Sequence, residues 1–220
     1  MKALLLSLFT VLAISAFAQT PEVTKKGSYT LTFSNNDPNL DPVVKERLIS
    51  TFFKVYPELA KEYNKKTAKK VYMMIDTAYK GVAETDNAHV RISAAWMHKK
   101  PEDIDVVTHE VMHIVQDYGQ TNGPGWLTEG IADYARNKFG VNNAAAKWAL
   151  TDYKQGQNYD NSYRVTARFL LWIETHKRMN MVKILDKQMR KHTYVDSVWE
   201  QEAGKTLDGL WAEYIANPTL

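Results

Sequence analysis

His109 and His113 stand four residues apart in the segment His109-Glu110-Val111-Met112-His113. Residues at this spacing project from the same side of an α-helix, so the two imidazoles can bind one metal ion. The H-E-x-x-H pattern is typical of zinc sites in which the intervening glutamate accepts a proton from water. We therefore predict one Zn²⁺ per chain, with His109 and His113 as ligands and Glu110 as the catalytic base. Catalytic zinc binds three protein ligands and leaves a fourth position open, so a third ligand must come from another segment.

Two carboxylates downstream are candidates for that third ligand. The glycine-rich segment 119–125 precedes a second helical pattern over 126–134, in which Glu129 and Asp133 are again four residues apart. We expect Glu129 to bind the metal, and Asp133 to accept the distal N–H of a ligand histidine and so fix its tautomer. The reverse assignment, with Asp133 on zinc, stays open, although the shorter aspartate side chain reaches less far. Both carboxylates could also be merely solvated.

Amide hydrolysis also requires a hydrogen-bond donor for the developing oxyanion. Tyr159, Tyr163 and His176 are candidates, in or beside the helical pattern that follows residue 158. Any single tyrosine is equally well explained as a packed aromatic side chain. A peptide substrate needs main-chain partners as well, and the strand pattern over 87–96, just before the H-E-x-x-H segment, could serve as an edge strand that pairs with it.

The elements that must position these residues form an α+β pattern. Alternating apolar and polar residues predict strands over 28–34, 70–77 and 87–96, which together form a small mixed sheet. Helical periodicity first appears over 42–63, after the first strand. From Pro101 onward it dominates, over 101–118, 126–139, 143–154, 160–177, 179–191 and 205–215. Pro57 predicts a kink or restart in the first helix. We expect a sheet-rich lobe over about 28–98 and a helical lobe over about 101–218 of one zincin-like domain.

The predicted helix over 101–118 carries a one-sided apolar pattern. Ile104, Val107 and Val111 are among the apolar residues that recur at intervals of three and four, and Pro101 suits a first helical position. At 100° per residue, the two histidines lie roughly 160° from the centre of this apolar face. We therefore expect one face of the helix on the core and the histidines on the opposite face.

Charge and composition exclude several classes of function. The chain has 28 basic and 25 acidic residues, and its basic pairs are scattered, so no basic patch or motif indicates nucleic-acid binding. There is no cysteine, which excludes disulfides, thiolate ligands and a cysteine nucleophile. Nothing in the sequence indicates an oligomeric state.

The N-terminus has the pattern of a secretory signal. Lys2 precedes the apolar run 3–17, and Ala16-Phe17-Ala18 matches a cleavage site. We predict a signal peptide over 1–18, a mature domain over 19–220, and a secreted or periplasmic protein without a membrane anchor after cleavage. An uncleaved signal anchor is the alternative.

Five segments together resemble the basic secretory protein family of plants and bacteria. They are Gly81-Val82-Ala83-Glu84-Thr85, Val90-Arg91-Ile92-Ser93-Ala94, the H-E-x-x-H segment ending at Gln116, Glu129-Gly130-Ile131-Ala132-Asp133-Tyr134 and Tyr163-Arg164-Val165-Thr166-Ala167-Arg168-Phe169-Leu170. The resemblance covers roughly residues 28–215. It implies a thermolysin-like zinc peptidase of the gluzincin type, with ligands His109, His113 and Glu129 and with Glu110 as base. It also favours Tyr163 over Tyr159 as the oxyanion donor.

The function predicted from these observations is a secreted zinc metallopeptidase that hydrolyses peptide bonds in peptides or proteins. One alternative is a secreted zinc-binding protein without turnover, although a purely structural site has no need of Glu110. Another is a zinc hydrolase of a non-peptide amide, such as a cell-wall amide. The zinc chemistry would be the same, and only the shape of the cleft would differ.

Overall fold

The computed structural model describes residues 20–220, so the predicted signal peptide lies outside the described residues. Within them, the strands are β1 (Glu22–Lys26), β2 (Tyr29–Asn35), β3 (Lys70–Asp76), β4 (Ala83–Asp86) and β5 (His89–Ser93). The helices are α1 (Pro42–Glu62), α2 (Ala94–Lys99), α3 (Val106–Gln116), α4 (Gly125–Phe139), α5 (Tyr163–His176), α6 (Met181–Arg190), α7 (Ser197–Ala203) and α8 (Leu207–Ala216), with a 3₁₀ turn at Tyr159–Asn161. The predicted α+β class is confirmed.

The strands form one mixed sheet in the order β1-β2-β3-β5-β4. The three central strands are parallel, and each edge strand is antiparallel to its neighbour. Alternation along the strands buries one face of the sheet, and the inward side chains include Leu31, Phe33, Val71, Met73, Ile75, Val90 and Ile92. Helices α1 and α3 to α8 supply most of the remaining core, and α2 contributes Ala94 and Met97.

Helix α3 lies between α1 on one side and α4 on the other, and it also contacts β4 through Glu110 and Thr85. Ten of its 11 residues are buried, including His109 and Glu110. The apolar residues of α3 pack in the core, and the two histidines project together from the side of the helix that faces α4. His109, Glu110 and His113 thus line a cleft beside α4 and do not lie on an outer surface.

The third predicted strand, 87–96, needs two corrections. Only His89–Ser93 is extended, and the chain enters α2 at Ala94, where the Ser93 hydroxyl accepts a hydrogen bond from the Trp96 amide. This strand is also not the edge, because β5 lies between β3 and β4. The edge strand beside α3 is Ala83–Asp86, which sequence analysis missed because Ala-Glu-Thr-Asp is short and shows no apolar alternation. A tight turn at Asn87, whose φ is 53°, connects the two strands.

Other element boundaries also differ from prediction. Strand β1 and helix α7 were not predicted, and α1 continues through Pro57 without a restart. Helix α3 begins at Val106 and not at Pro101, which lies in a turn. The helix predicted over 143–154 is absent, and this segment consists of turns and irregular backbone. Within residues 20–220, none of the helices has both the length and the apolar character that crossing a membrane requires.

Candidate metal centre

Helices α3 and α4 form an antiparallel pair that carries the predicted ligands. The Asp105 carboxylate fixes the start of α3, since it accepts hydrogen bonds from the Thr108 hydroxyl and from the Val141 amide, at 2.8 and 2.9 Å. Asp117 ends the helix in a left-handed conformation with φ 46°, and the segment 119–124 reverses the chain direction into α4. This connection brings the first turns of α4 alongside the last turns of α3.

The structure brings His109, His113 and Glu129 together at one point. The Nε2 atoms of the two histidines are 3.2 Å apart. Oε2 of Glu129 lies 3.2 Å from Nε2 of His109 and 3.6 Å from Nε2 of His113. Within the described chain, these three side chains form the group of histidine and acidic residues whose geometry suits a metal ion.

The distal ring nitrogens are each hydrogen-bonded to a different partner. Nδ1 of His109 lies 2.7 Å from Oδ1 of Asp133, and Nδ1 of His113 lies 2.7 Å from Oε1 of Gln116. The side-chain amide nitrogen of Gln116 donates to the Thr128 main-chain carbonyl at 2.9 Å. This contact orients the side-chain oxygen of Gln116 toward His113. Both partner atoms are acceptors, so each imidazole donates through Nδ1 and directs an Nε2 lone pair at the common point.

Sequence analysis did not give Gln116 a role, although its position three residues after His113 on the same helix was a usable signal. Sequence analysis predicted that Asp133 lies beside a ligand histidine, and in the structure Asp133 is hydrogen-bonded to His109. The reverse arrangement, with Asp133 at the common point, does not occur, since the carboxylate lies on the far side of the His109 ring.

The donor set fits a zinc ion. Tetrahedral zinc with N and O ligands at about 2.0–2.2 Å places those ligands about 3.3–3.6 Å apart, and the three observed separations are 3.2, 3.2 and 3.6 Å. Three acceptor atoms this close repel one another unless positive charge lies between them. Cysteine is absent and no ligand is soft, which suits zinc bound by nitrogen and oxygen.

The electrostatics of the cluster indicate the same preference for positive charge. Burial lowers the pKa of His109, but hydrogen bonds to Asp133 and Glu129 outweigh burial and raise that pKa to about 10. Burial raises the pKa of Glu129, whereas its contacts with the two histidines hold the pKa well below its usual range. The neighbouring carboxylates that favour a protonated imidazole also favour a metal ion at this point, and a metal ion that binds there must displace the proton.

Glu110 lies beside the ligand cluster and lines the same cleft. Its side chain is only 5% exposed, and Oε2 accepts a hydrogen bond from the Thr85 hydroxyl of β4 at 2.7 Å. Oε1 accepts no hydrogen bond from residues 20–220. The carboxylate therefore has one oxygen bound to protein and one oxygen available to a molecule in the cleft.

Tyr163, the first residue of α5, lies over the ring of His109. The two rings are nearly parallel, with centroids 6.1 Å apart, and the tyrosine is 54% exposed. Helix α5 approaches α4 closely because Gly130 has no side chain, since a Cβ there would lie 2.2 Å from Cγ2 of Thr166. The open side of Gly130 therefore faces α5. The negative charge of Glu129, followed by burial, raises the pKa of Tyr163, so the hydroxyl remains a donor.

The structure places the other two oxyanion candidates elsewhere. The Tyr159 hydroxyl donates to Asp208 at 2.9 Å, and its ring packs against Trp126. His176 lies at the opposite end of α5 and contacts the carbonyl of Thr219. Neither residue lines the cleft that contains the ligands.

The cleft has a volume of about 1430 Å³ and extends past both ends of α3. Near the first turn of α3 it is lined by Trp96, Asp103, Arg136 and Trp148, in which the Arg136 guanidinium pairs with Asp103 and stacks on Trp148. Past the last turn it is lined by the more exposed residues Asn87, Asp117, Gly119 and Gln120. A groove that continues on both sides of the ligands can accommodate an extended chain.

Strand β4 forms one side of this cleft and has a free edge. The Ser93 amide donates to the Val82 carbonyl at 3.0 Å, and pairing then alternates along the hairpin. Ala83 and Thr85 are consequently the residues of β4 whose main-chain groups face away from β5. The Ala83 carbonyl accepts a hydrogen bond from the Tyr79 hydroxyl at 3.1 Å. Among residues 20–220, the Ala83 amide and both main-chain groups of Thr85 have no partner and could pair with another chain.

Comparisons with known proteins identify a family and a fold that this chain shares. A family model described as "Peptidase of plants and bacteria" matches residues 19–214. A two-domain M1 zinc metallopeptidase variant bound to L-tryptophan matches with a TM-score of 0.51 and 11% identity, over 92% of this chain and 52% of that one. An M1 zinc metallopeptidase variant from Deinococcus radiodurans matches with a TM-score of 0.45 and 10% identity, over 90% and 52%. The chain thus spans about half the length of these structures, and the first likeness shows a shared fold. No curated protein matches the sequence.

Proposed function

The chain belongs to the basic secretory protein family of plant and bacterial peptidases, as its sequence motifs predicted, and we propose that it is a secreted, zinc-dependent endopeptidase. His109, His113 and Glu129 would hold the zinc ion. Glu110 would act as general base, and Tyr163 would donate to the oxyanion. The proposal extends family membership to a metal, a mechanism and a location.

One observation carries the proposal. Three potential ligand atoms lie 3.2 to 3.6 Å apart. Glu110 lies beside them in the same cleft, and its carboxylate is hydrogen-bonded to none of the three. A structural zinc site is normally closed by four protein ligands, whereas three ligands and an adjacent base are what hydrolysis requires. This arrangement favours turnover over zinc binding alone.

The residues of the chain divide the chemistry between them. A bound zinc ion would supply a Lewis acid that allows water to react at neutral pH. Glu110 accepts a proton from that water through Oε1 and passes it to the leaving amine. The Tyr163 hydroxyl donates a hydrogen bond to the carbonyl oxygen as negative charge develops there. Asp133 and Gln116 keep the imidazoles in the orientation that presents Nε2.

Substrate binding is proposed to use the free edge of β4. An extended peptide can pair with the Ala83 amide and with the main-chain groups of Thr85. This pairing recognises the backbone of the substrate, so it works for many sequences. It would also place a scissile bond near Glu110, because Thr85 is part of this edge and its hydroxyl contacts that carboxylate.

The central test combines metal analysis with a cleavage assay. We expect purified residues 19–220 to contain about one zinc per chain, and to cleave an unfolded protein such as reduced, alkylated casein. A chelator should abolish cleavage, and added zinc should restore it. His113→Ala should contain little zinc and show no cleavage. Zinc-loaded protein without cleavage would instead indicate a binding protein, and cleavage of a cell-wall amide alone would indicate a non-peptide hydrolase.

Secretion is proposed from the sequence of residues 1–18 and needs its own test. Expression of the full chain in a bacterium should yield a mature protein beginning at Gln19, identified by N-terminal sequencing of the periplasmic and extracellular fractions. A protein recovered from the cytoplasm with Met1 intact would contradict this part of the proposal.

A further inference from the structure

Thr85 connects the edge strand β4 to the carboxylate of Glu110. Its Oγ1 lies 2.7 Å from Oε2 of Glu110 and 3.0 Å from the main-chain carbonyl of the same residue. A hydroxyl has a single proton, and the closer, charged oxygen is the better acceptor. The geometry points to Thr85 as a positioning residue that holds the general base in its working orientation. This inference rests on the proposed function, in which Glu110 is that base.

A carboxylate without such a contact can rotate about its terminal torsion, which is broad and roughly two-fold. The hydrogen bond to Oε2 removes this freedom and leaves Oε1 as the oxygen that faces the cleft. Hydrogen bonds to a charged acceptor are roughly twice as strong as neutral ones, so one hydroxyl suffices to favour one orientation. A misplacement of about 1 Å at a reacting group can reduce a rate by about a hundredfold.

The main chain of Thr85 has a separate role from its side chain. Its amide and carbonyl face away from β5 and are free to pair with a peptide, whereas its hydroxyl points to Glu110. Removal of the hydroxyl therefore leaves the substrate edge intact. The loss should appear in kcat and not in KM, which separates positioning of the base from substrate binding.

The test compares Thr85→Val, Thr85→Ser and wild type, with Thr32→Val as a matched control on the opposite face of the sheet. Thr85→Val should lower kcat by about tenfold or more, with KM, zinc content and Tm close to wild type. Thr85→Ser keeps the hydroxyl and should remain within about threefold of wild type. Thr32→Val removes a hydroxyl far from the cleft and should change nothing. Unchanged kcat in Thr85→Val, or equal losses in the valine and serine variants, would overturn the inference.

Crystal structures of wild type and Thr85→Val give a readout that does not depend on turnover. We expect a single Glu110 rotamer in wild type, with Oε2 on Oγ1, and a shifted or divided carboxylate in the valine variant. An identical single rotamer in both would refute the positioning role. If wild type itself proves inactive, the proposed function fails, and the rotamer comparison still decides whether Thr85 orients this side chain.

Discussion

The two sides of the metal centre differ in how their functional groups are held. On the buried side, three side chains of α3 each have a hydrogen-bond partner: His109 with Asp133, Glu110 with Thr85 and His113 with Gln116. On the open side, Tyr163 is 54% exposed, and its hydroxyl has no hydrogen-bond partner within the described chain. The structure therefore holds the two proposed ligands and the proposed base of α3 in one geometry, and it leaves the proposed oxyanion donor exposed.

This difference has a physical reason. Metal ligands must be placed to within a fraction of an ångström before the metal binds, and each partner removes a rotation that would otherwise cost affinity. An oxyanion donor acts only when charge develops on a bound substrate, and hydrogen bonds of this kind are often long until then. Substitutions on the buried side should thus separate metal binding from catalysis, whereas substitutions on the open side should affect catalysis alone.

The largest effect is expected for Glu110→Gln, the strongest test of the buried side. Glutamine keeps the shape of the side chain and the contact with Thr85 but cannot accept a proton from water. We expect kcat to fall by a factor of about 10³ or more, since general-base catalysis contributes about 10²–10⁴. Zinc content should stay near one per chain, as measured by plasma emission spectroscopy. Undiminished turnover with full zinc content would remove Glu110 from the mechanism.

Tyr163→Phe tests the open side with the next largest effect. Loss of one oxyanion donor typically costs a factor of 10²–10³ in kcat, and we expect about a hundredfold because Tyr163 is partly solvated. KM, zinc affinity and Tm should remain close to wild type, since the hydroxyl has no partner in the described structure. Tyr159→Phe serves as the control, because that hydroxyl contacts Asp208 away from the cleft. A loss of zinc in Tyr163→Phe would contradict the division between the two sides.

Much of the site could be predicted because its pattern is local. His109, His113, Glu129 and Asp133 lie at helical spacing within two neighbouring helices, so periodicity alone predicts which side chains share a face. The partner of Glu110 could not be found in this way. Thr85 comes from a strand of four residues, 25 positions earlier in the chain, and only the sheet topology brings it to the cleft.

The errors in the fold have the same origin. The segment 143–154 has apolar residues at helical spacing, but its start is fixed by contacts from distant residues. Asn143 hydrogen-bonds to the side chain and carbonyl of Arg136, and the preceding amides of Val141 and Asn142 donate to Asp105. The buried charges of Asp105 and Arg136 need these partners more than the segment gains from a short helix. Tertiary hydrogen bonds of this kind leave no periodic signal.

Asp133→Asn probes how much of the buried side is preorganised. Asparagine can present either an acceptor or a donor to Nδ1 of His109, so the tautomer that presents Nε2 is no longer enforced. Partner residues of this kind typically contribute a factor of about 10–100 in metal affinity, and we expect a loss in that range by competition with a fluorescent zinc chelator. At saturating zinc, kcat should recover to within a few-fold of wild type. A kcat that stays very low at full occupancy would mean that Asp133 acts in the reaction itself.

The smallest effect is expected where the two sides meet, at the contact between α4 and α5. In Gly130→Ala, a Cβ would lie 2.2 Å from Cγ2 of Thr166, so α5 must move outward and carry Tyr163 with it. Overpacking costs about 1–3 kcal/mol, and the gain in helix propensity returns up to about 1 kcal/mol, so Tm should fall by a few degrees. We expect kcat to fall a few-fold, with zinc affinity unchanged because the ligands are on α3 and α4. Gly125→Ala is the matched control, since nothing lies within 4 Å of its added Cβ at the start of the same helix. A loss of zinc with unchanged kcat in Gly130→Ala would show that this contact supports the buried side instead of the open one.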